Sequence, residues 1–392
     1  MWEKQILLLP GPTQVPPRIL QAMVMQQINH RGPYAQKLYA EIEEGTKKIL
    51  QTKNDNFLLT CSGTGGMEAA VANLLSPGET ALVASIGSFG IRFAEICEAF
   101  NVNVDLLDYP WGEAVNPDDI AKRLEADNEH KIKAVLVQHN ETSTGVLNDI
   151  KAISEARGNH PALLVVDAVS GLAAADLPVD EWKLDVVIWG SQKAFMVPPG
   201  IAGLCVSPRA WEAVEKCTNS RFYFDLRLAK KYFEMGQTPF TPALSVLFAM
   251  RESLKLMLSE GLPKIFSRHA MYRDIVWAAA EALNLEMLAP RENASPSVTA
   301  IKAPEGMNAN DIIKGMLRDF NVVVAGGQGK LKGKIFRIGH LGYVDGLDLI
   351  SGISALEITL SRLGWPIENG AGIRAAEQII RGRIETGACS DY

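Results

Sequence analysis

Residues 162–200, ALLVVDAVSGLAAADLPVDEWKLDVVIWGSQKAFMVPPG, constrain the fold of this chain more than any other stretch. The run 162–166 is aliphatic and β-branched on both faces, the pattern of a strand buried in a parallel sheet, and it ends at Asp167. A second run, 185–189, reads the same way and stops just before Gly190, Ser191, Gln192 and Lys193. Ligands of open α/β sheets sit at the carboxyl ends of parallel strands, so Asp167 and Lys193 are expected to face one crevice. Taken singly, such an Asp reads as a turn cap and such a Lys as a surface residue. The setting argues otherwise: small residues precede Lys193, Pro198, Pro199 and Gly200 follow it, and apolar strands flank it. A solvated lysine rarely keeps that company.

A lysine amine condenses with an aldehyde, and a carboxylate keeps a pyridine nitrogen protonated, which makes the ring an electron sink. Both roles belong to pyridoxal phosphate. The rest of the chain supplies a scaffold for such a site. Strands are expected at 57–60, 80–84, 102–107, 134–138, 162–167, 185–189 and 202–206, with helices at 66–75, 89–100, 117–126 and 150–157 between them. That alternation specifies an α/β fold, a large domain whose mostly parallel seven-stranded sheet carries helices on both faces. Before it, LLLPGPTQVPPRIL is too rich in proline for a regular helix and reads as an extended arm, followed by helices at 16–25 and 34–51. After it come a helix at 211–217, an irregular aromatic stretch at 220–241, and long amphipathic helices at 243–258 and 263–283. A smaller C-terminal α+β domain is expected from strands at 298–302, 322–324 and 335–339 and helices at 309–320 and 347–363, with a last helix near 372–381 and a loose end. The expected division is an arm at 1–20, a large domain at 21–255 and a small domain with tail at 256–392, which a chain of 392 residues accommodates.

Charge and cysteine usage narrow the partners. A net charge of -6 leaves no basic surplus for nucleic acid or an anionic membrane. No apolar run approaches transmembrane length, and the N-terminal one is broken at once by Pro10 and Pro12. Five cysteines without a CxxC pair or regular spacing read as free thiols in a reducing compartment, so a cytoplasmic protein without a metal site is expected.

Two further motifs fall at the crevice end of strands. CSGTGGMEAA follows the first strand and opens a helix; Gly63, Gly65 and Gly66 permit close backbone approach, Thr64 offers a hydroxyl, and the helix N-terminus favours an anion. It is neither a P-loop nor a GxGxxG fingerprint, and a glycine-rich turn alone is a weak signal for a phosphate cradle. HNETSTGVL follows the 134–138 strand, so Thr142 is in position to bond a cofactor, although an ST-turn leading to Gly145 explains the same residues. His139 reads as structural.

Taken in order, SGTGG, HNETSTGVL, VVDAVS, GSQKAFMVPPG, TPFTPALSVLFAMRESL and FRIGHLG resemble the class V aminotransferases, pyridoxal phosphate enzymes of fold type I, and most nearly the alanine:glyoxylate and serine:glyoxylate (serine:pyruvate) types. The resemblance runs from the arm to about residue 363. It implies that Lys193 carries the cofactor, that Asp167 pairs with its ring nitrogen, and that Val169 and Phe89 cover the two ring faces. Many relatives have tryptophan where this chain has Phe89. It further implies that Gly63, Thr64, Gly65 and Gln192 bind the phosphate, Thr142 the ring substituents, and Arg337 the substrate carboxylate, to which a planar guanidinium pairs bidentately. The family's site is shared across a homodimer, so Thr241 is expected to reach a neighbour's phosphate; Thr238 stands where some relatives carry a tyrosine. The implied reaction is a ping-pong transamination between a small L-amino acid, alanine or serine, and a 2-oxo acid, glyoxylate or pyruvate.

Rival readings share the fold. A cysteine desulfurase needs a nucleophilic Cys on a small-domain loop, and AGGQGKLKGK at 325–334 has none. A 2-aminoethylphosphonate transaminase also uses an arginine for an anionic group and stays open. Some relatives carry a soluble-hydrogenase label, yet the cysteines here are not paired for a cluster. A non-catalytic cofactor sensor stays the alternative of another class, with the retained Lys193 and Arg337 favouring an enzyme, and a scaffold protein leaves the placement of Asp167 and Lys193 unexplained.

Overall fold

The computed structural model describes residues 5–385, so the first residues of the expected arm, the end of the expected tail and Cys389 lie outside the described residues. The apolar runs pair into a seven-stranded sheet whose order is Asp55–Leu59, Ala202–Val206, Val186–Gly190, Leu163–Asp167, Ile132–Gln138, Thr80–Ser85, Asn103–Asp108. Neighbours are parallel except around Ala202–Val206, which runs antiparallel to both of its partners. Leu163–Asp167, Val186–Gly190 and Ala202–Val206 are buried at every position, as strands covered by helices on both faces must be. Register sets Gln138 beside Asp167 and Asp167 beside Ile188. The loops after these three strands therefore open at one edge of the sheet.

Packing enforces that register. Trp189 is fully buried, its indole N–H donating to Asn56 Oδ1 at 2.9 Å while Asn56 Nδ2 donates to Thr46 Oγ1 at 2.7 Å. Gly203 lies opposite Trp189, where a Cβ would overlap the indole. Thr46 belongs to the Pro33–Leu50 helix, which opens on proline, buries Leu38, Ile42 and Ile49, and ends at Gln51 with φ 51°. One helix, Leu226–Phe233, occupies part of the stretch expected to be irregular. Asp225 caps it through Arg227 N–H, but only Leu226 and Ala229 are buried, and two turns are too short for periodicity to show.

The small domain has an antiparallel sheet ordered Val298–Lys302, Ile335–Gly339, Ala325–Gly326. The helices Leu262–Ala282, Ala309–Phe320, Gly346–Arg362 and Ala371–Glu385 accompany it. The two-residue strand at Ala325–Gly326 is shorter than any pattern a sequence reading resolves. The arm is partly a strand: Ile6–Leu7 pairs in parallel with Val322–Val323, and Leu8 is buried in a core with Tyr272, Phe336, Ile338 and Ile353. Among the described residues no helix is long and apolar enough to cross a membrane.

Candidate active site

Lys193 follows Gly190 by three residues and is 9% exposed. The arm pins its loop, Thr13 N–H donating to the Gln192 carbonyl and the Thr13 hydroxyl to the Lys193 carbonyl, both at 3.2 Å. Its amine donates to the Pro10 carbonyl at 2.6 Å. Burial pushes this amine down to about 8, against the pull of Asp167 and with Arg337 adding a like charge. Asp167, 5% exposed, is pushed up to about 6 by burial. A bond from Val169 N–H at 2.9 Å and the cations of Lys193 and Arg92 oppose that rise, and Glu141 adds to it. The two strand ends thus bring an amine and a carboxylate into each other's field, each less charged than in water.

The glycine motif forms the first turn of the Gly63–Leu74 helix, which begins three residues before the expected start at 66. Ser62 at its N-cap makes no side-chain cap bond and the first turn holds no acid, so its dipole end is left for an anion. Cβ atoms at Gly63, Gly65 and Gly66 would each stand 2.8 Å from a side-chain atom, of Val169, Cys61 and Ile188 respectively. Glycine is what lets the helix start this close to the sheet and brings Val169 against the cradle. Gln192 Oε1 is buried beside Gly190 with no hydrogen-bond partner among the described residues.

From the neighbouring loop, Thr142 Oγ1 donates to Ser170 Oγ at 2.7 Å, and Ser170 Oγ to the Asn140 carbonyl at 2.9 Å. Arg337, 4% exposed on the Ile335–Gly339 strand, reaches in from the small domain. Its Nη1 donates to the Thr142 carbonyl at 2.8 Å, and Nε and Nη2 to the Gly326 carbonyl at 2.9 and 2.7 Å. Burial lowers this guanidinium to about 10, with the charge of Glu141 opposing. Carbonyls hold Arg337, and no carboxylate forms an ion pair with it among the described residues.

Glu141 is a site residue that motif reading passed over. It is fully buried; Oε2 accepts from Phe89 N–H at 3.0 Å and Gly90 N–H at 3.2 Å, and Oε1 from Ser143 N–H at 3.0 Å and its hydroxyl at 2.6 Å. The carboxylate thereby caps the Ser88–Ala99 helix and fixes where Phe89 begins it. An acid directly after a buried strand, inside HNETSTGVL, was the available signal. Arg92 also escaped notice: Nη1 donates to Thr64 Oγ1 at 3.1 Å and its Cζ lies 4.6 Å from the Phe89 ring centre. Thr238 and Thr241 stand apart from this group within the single chain. Thr238 Oγ1 donates to the Phe240 carbonyl at 2.8 Å, in a loop that Arg31 holds through Gln237 and Pro239, and Thr241 is exposed. The ring of His139, expected to be structural, is buried against Gly171 and pushed down to about 4 by that burial.

The family model described as Aminotransferase class-V matches residues 6–332. Over 97% of this chain and 99% of its own length, a protein of Synechococcus sp. named soluble hydrogenase, small subunit, is 43% identical. The L-aspartate–glyoxylate aminotransferase of Paracoccus denitrificans is 40% identical over 97% of each chain. The crystal structure of the ureidoglycine–glyoxylate aminotransferase of Bacillus subtilis superposes with a TM-score of 0.91 at 30% identity, covering 97% of this chain and 99% of that one. Among the described residues no three His, Cys, Asp or Glu side chains converge to hold a metal ion. Family model, aminotransferase-named relatives and fold agree that this chain belongs to the class-V aminotransferases, a family that generally binds pyridoxal phosphate, and that it is an aminotransferase enzyme.

Proposed function

We propose that the protein transfers the amino group of a small L-amino acid to a 2-oxo acid by a ping-pong mechanism, with pyridoxal 5′-phosphate bound at Lys193. The observation that carries this reading is the burial of Lys193 and Asp167 at adjacent strand ends, within each other's electrostatic reach and that of Arg337, beside an uncapped helix N-terminus. The residues fit the group. The uncapped first turn at Gly63, Thr64 and Gly65 suits a phosphate, to which Gln192 would add its amide N–H donors, Val169 and Phe89 suit its ring faces, and the Thr142 hydroxyl suits a ring substituent. When bound, the cofactor supplies a ring that accepts the electron pair left on the substrate Cα.

The chain's own groups do the rest. Arg337 exchanges its two carbonyl partners for the substrate carboxylate, a bidentate charge-assisted pair in a dry site. That contact orients the Cα–H bond toward Lys193. Freed when the substrate's amino group replaces it, the Lys193 amine, whose burial lowers it to about 8, would be neutral in a useful fraction near neutrality, take the Cα proton as general base and give it back as general acid. Asp167 holds a proton at the ring nitrogen through its negative charge. The 2-oxo product leaves before the second 2-oxo acid enters, and the same residues run the steps in reverse.

Glyoxylate is the acceptor in the names of the Paracoccus relative, of serine–glyoxylate aminotransferases at 36–38% identity and of the Bacillus subtilis protein, whereas the donor varies among aspartate, serine and ureidoglycine. That pattern supports glyoxylate, with pyruvate as the other acceptor, and leaves alanine or serine as the proposed donor. A homodimer in a reducing, cytoplasmic setting, with Thr241 and Thr238 serving the neighbour's phosphate, completes the proposal. Absorption spectra of the cofactor-loaded protein test it, recorded with alanine, serine, aspartate or 2-aminoethylphosphonate and then with glyoxylate. The expected result is a visible band that one amino acid bleaches and glyoxylate restores, and that Lys193→Ala no longer cycles. No band after reconstitution overturns the site; a band that only the phosphonate bleaches overturns the substrate; a band that no donor moves points to a sensor.

A further inference from the structure

We propose that Arg92 is a positioning residue for the phosphate end of the site, setting the Thr64 hydroxyl and the Phe89 ring at once. The proposal rests on the cofactor reading above. Arg92 lies one turn beyond Phe89 on the Ser88–Ala99 helix, and its Cζ stands 4.6 Å from the centre of that ring. A guanidinium over an aromatic face holds both planes in place. The same guanidinium donates from Nη1 to Thr64 Oγ1 at 3.1 Å, across 28 residues of sequence.

That bond fixes a polarity. The Thr64 oxygen is occupied as an acceptor, so its own hydrogen stays available as a donor. Thr64 is the second residue of the Gly63–Leu74 helix, whose first turn carries no cap and no acid. A hydroxyl donor therefore joins the free amides at the place where an anion is favoured. Among the described residues no carboxylate forms a direct ion pair with Arg92, so its charge stands near that helix end balanced only by the more distant Asp167. On the Phe89 side the helix start is already fixed by Glu141, which leaves the ring's tilt to Arg92. One side chain thus couples the wall over the ring to the cradle for the phosphate.

The full-length apo-protein, titrated with pyridoxal 5′-phosphate and separately with pyridoxal, which lacks the phosphate, separates this role from simple packing. Arg92→Gln is expected to weaken pyridoxal phosphate binding by about ten-fold or more and pyridoxal binding, which loses only the held Phe89 ring, by about three-fold or less, since the phosphate compound loses both contributions. Arg92→Lys keeps the charge but not the planar fork and is expected to fall between. Should Arg92→Gln not fold, the same two titrations of Arg92→Lys decide the matter. Equal weakening of both compounds, or no change in either, overturns the role of Arg92 and leaves the cofactor reading standing. Wild-type protein that binds neither compound overturns both.

Discussion

At Lys193 and Asp167 burial opposes charge, and the signs of the two shifts make separate demands on pH. Folding lowers the Lys193 value from 10.5 to about 8, so the cost of burying its charge is fully present below about 8 and is relieved as pH rises toward 10.5. Folding raises the Asp167 value from 3.8 to about 6, so its cost is absent below 3.8 and grows as pH rises through 6. Both charges are therefore buried together between about 6 and 8. In apo-protein the reactivity of the Lys193 amine toward an acylating reagent is expected to rise with a midpoint near 8, and Asp167→Asn to move that midpoint lower, since Asp167 is what raises it. Peptide mapping of the labelled lysine against pH checks this; a midpoint near 10.5 would show a solvated amine. These two residues were legible because each sits at the end of a buried run. Glu141 and Arg92 were not, since their partners Phe89 and Thr64 lie 52 and 28 residues away and only the fold brings them close.

Among elements, the Ser88–Ala99 helix depends on a cap borrowed from another loop. Its own N-cap, Gly87, supplies no side chain, and the Cβ of any other residue there would collide with Glu141 and Ser143. Glu141→Ala leaves buried N–H groups without an acceptor, so a stability loss of roughly 1–3 kcal/mol is expected in urea denaturation. Glu141→Gln, which keeps one oxygen, is expected to lose less. An unchanged urea midpoint in Glu141→Ala would mean that water replaces the carboxylate. The sheet strands were readable to within about two residues from periodicity, as long buried runs allow. The start of the Gly63–Leu74 helix was not, because glycine weakens helical propensity and only the close approach to Val169, Cys61 and Ile188 explains its presence there. Thr142 was visible in its motif, but its link through Ser170 to Asn140, and from Asn140 to Ser297 at 3.0 Å in the small domain, is a product of tertiary structure.

On the scale of the whole molecule, the seven strands of the large sheet and the two long strands of the small one were legible as apolar runs, whereas the Ala325–Gly326 strand and the path of the arm were not. Proline marked it as extended, yet nothing in its composition says that it pairs with Val322–Val323 and then crosses Lys193. Leu8 is the joint: it is 1% exposed in the small-domain core, and Gly352 approaches it so closely that a Cβ there would overlap its side chain. Leu8→Ala is expected to destabilise the protein by about 2–5 kcal/mol. The same change is expected to raise the reactivity of Lys193 by loosening the Pro10 carbonyl that its amine holds. Denaturation together with labelling checks both, and a stability loss with unaltered labelling would mean that the arm's two halves act independently. The arm also imposes an order on synthesis. Gln5 bonds Asn321 across 316 residues, so the arm is seated only after that distant partner has been made. A chain stopped before that partner can complete its large sheet and still leave its reactive lysine uncovered by the arm.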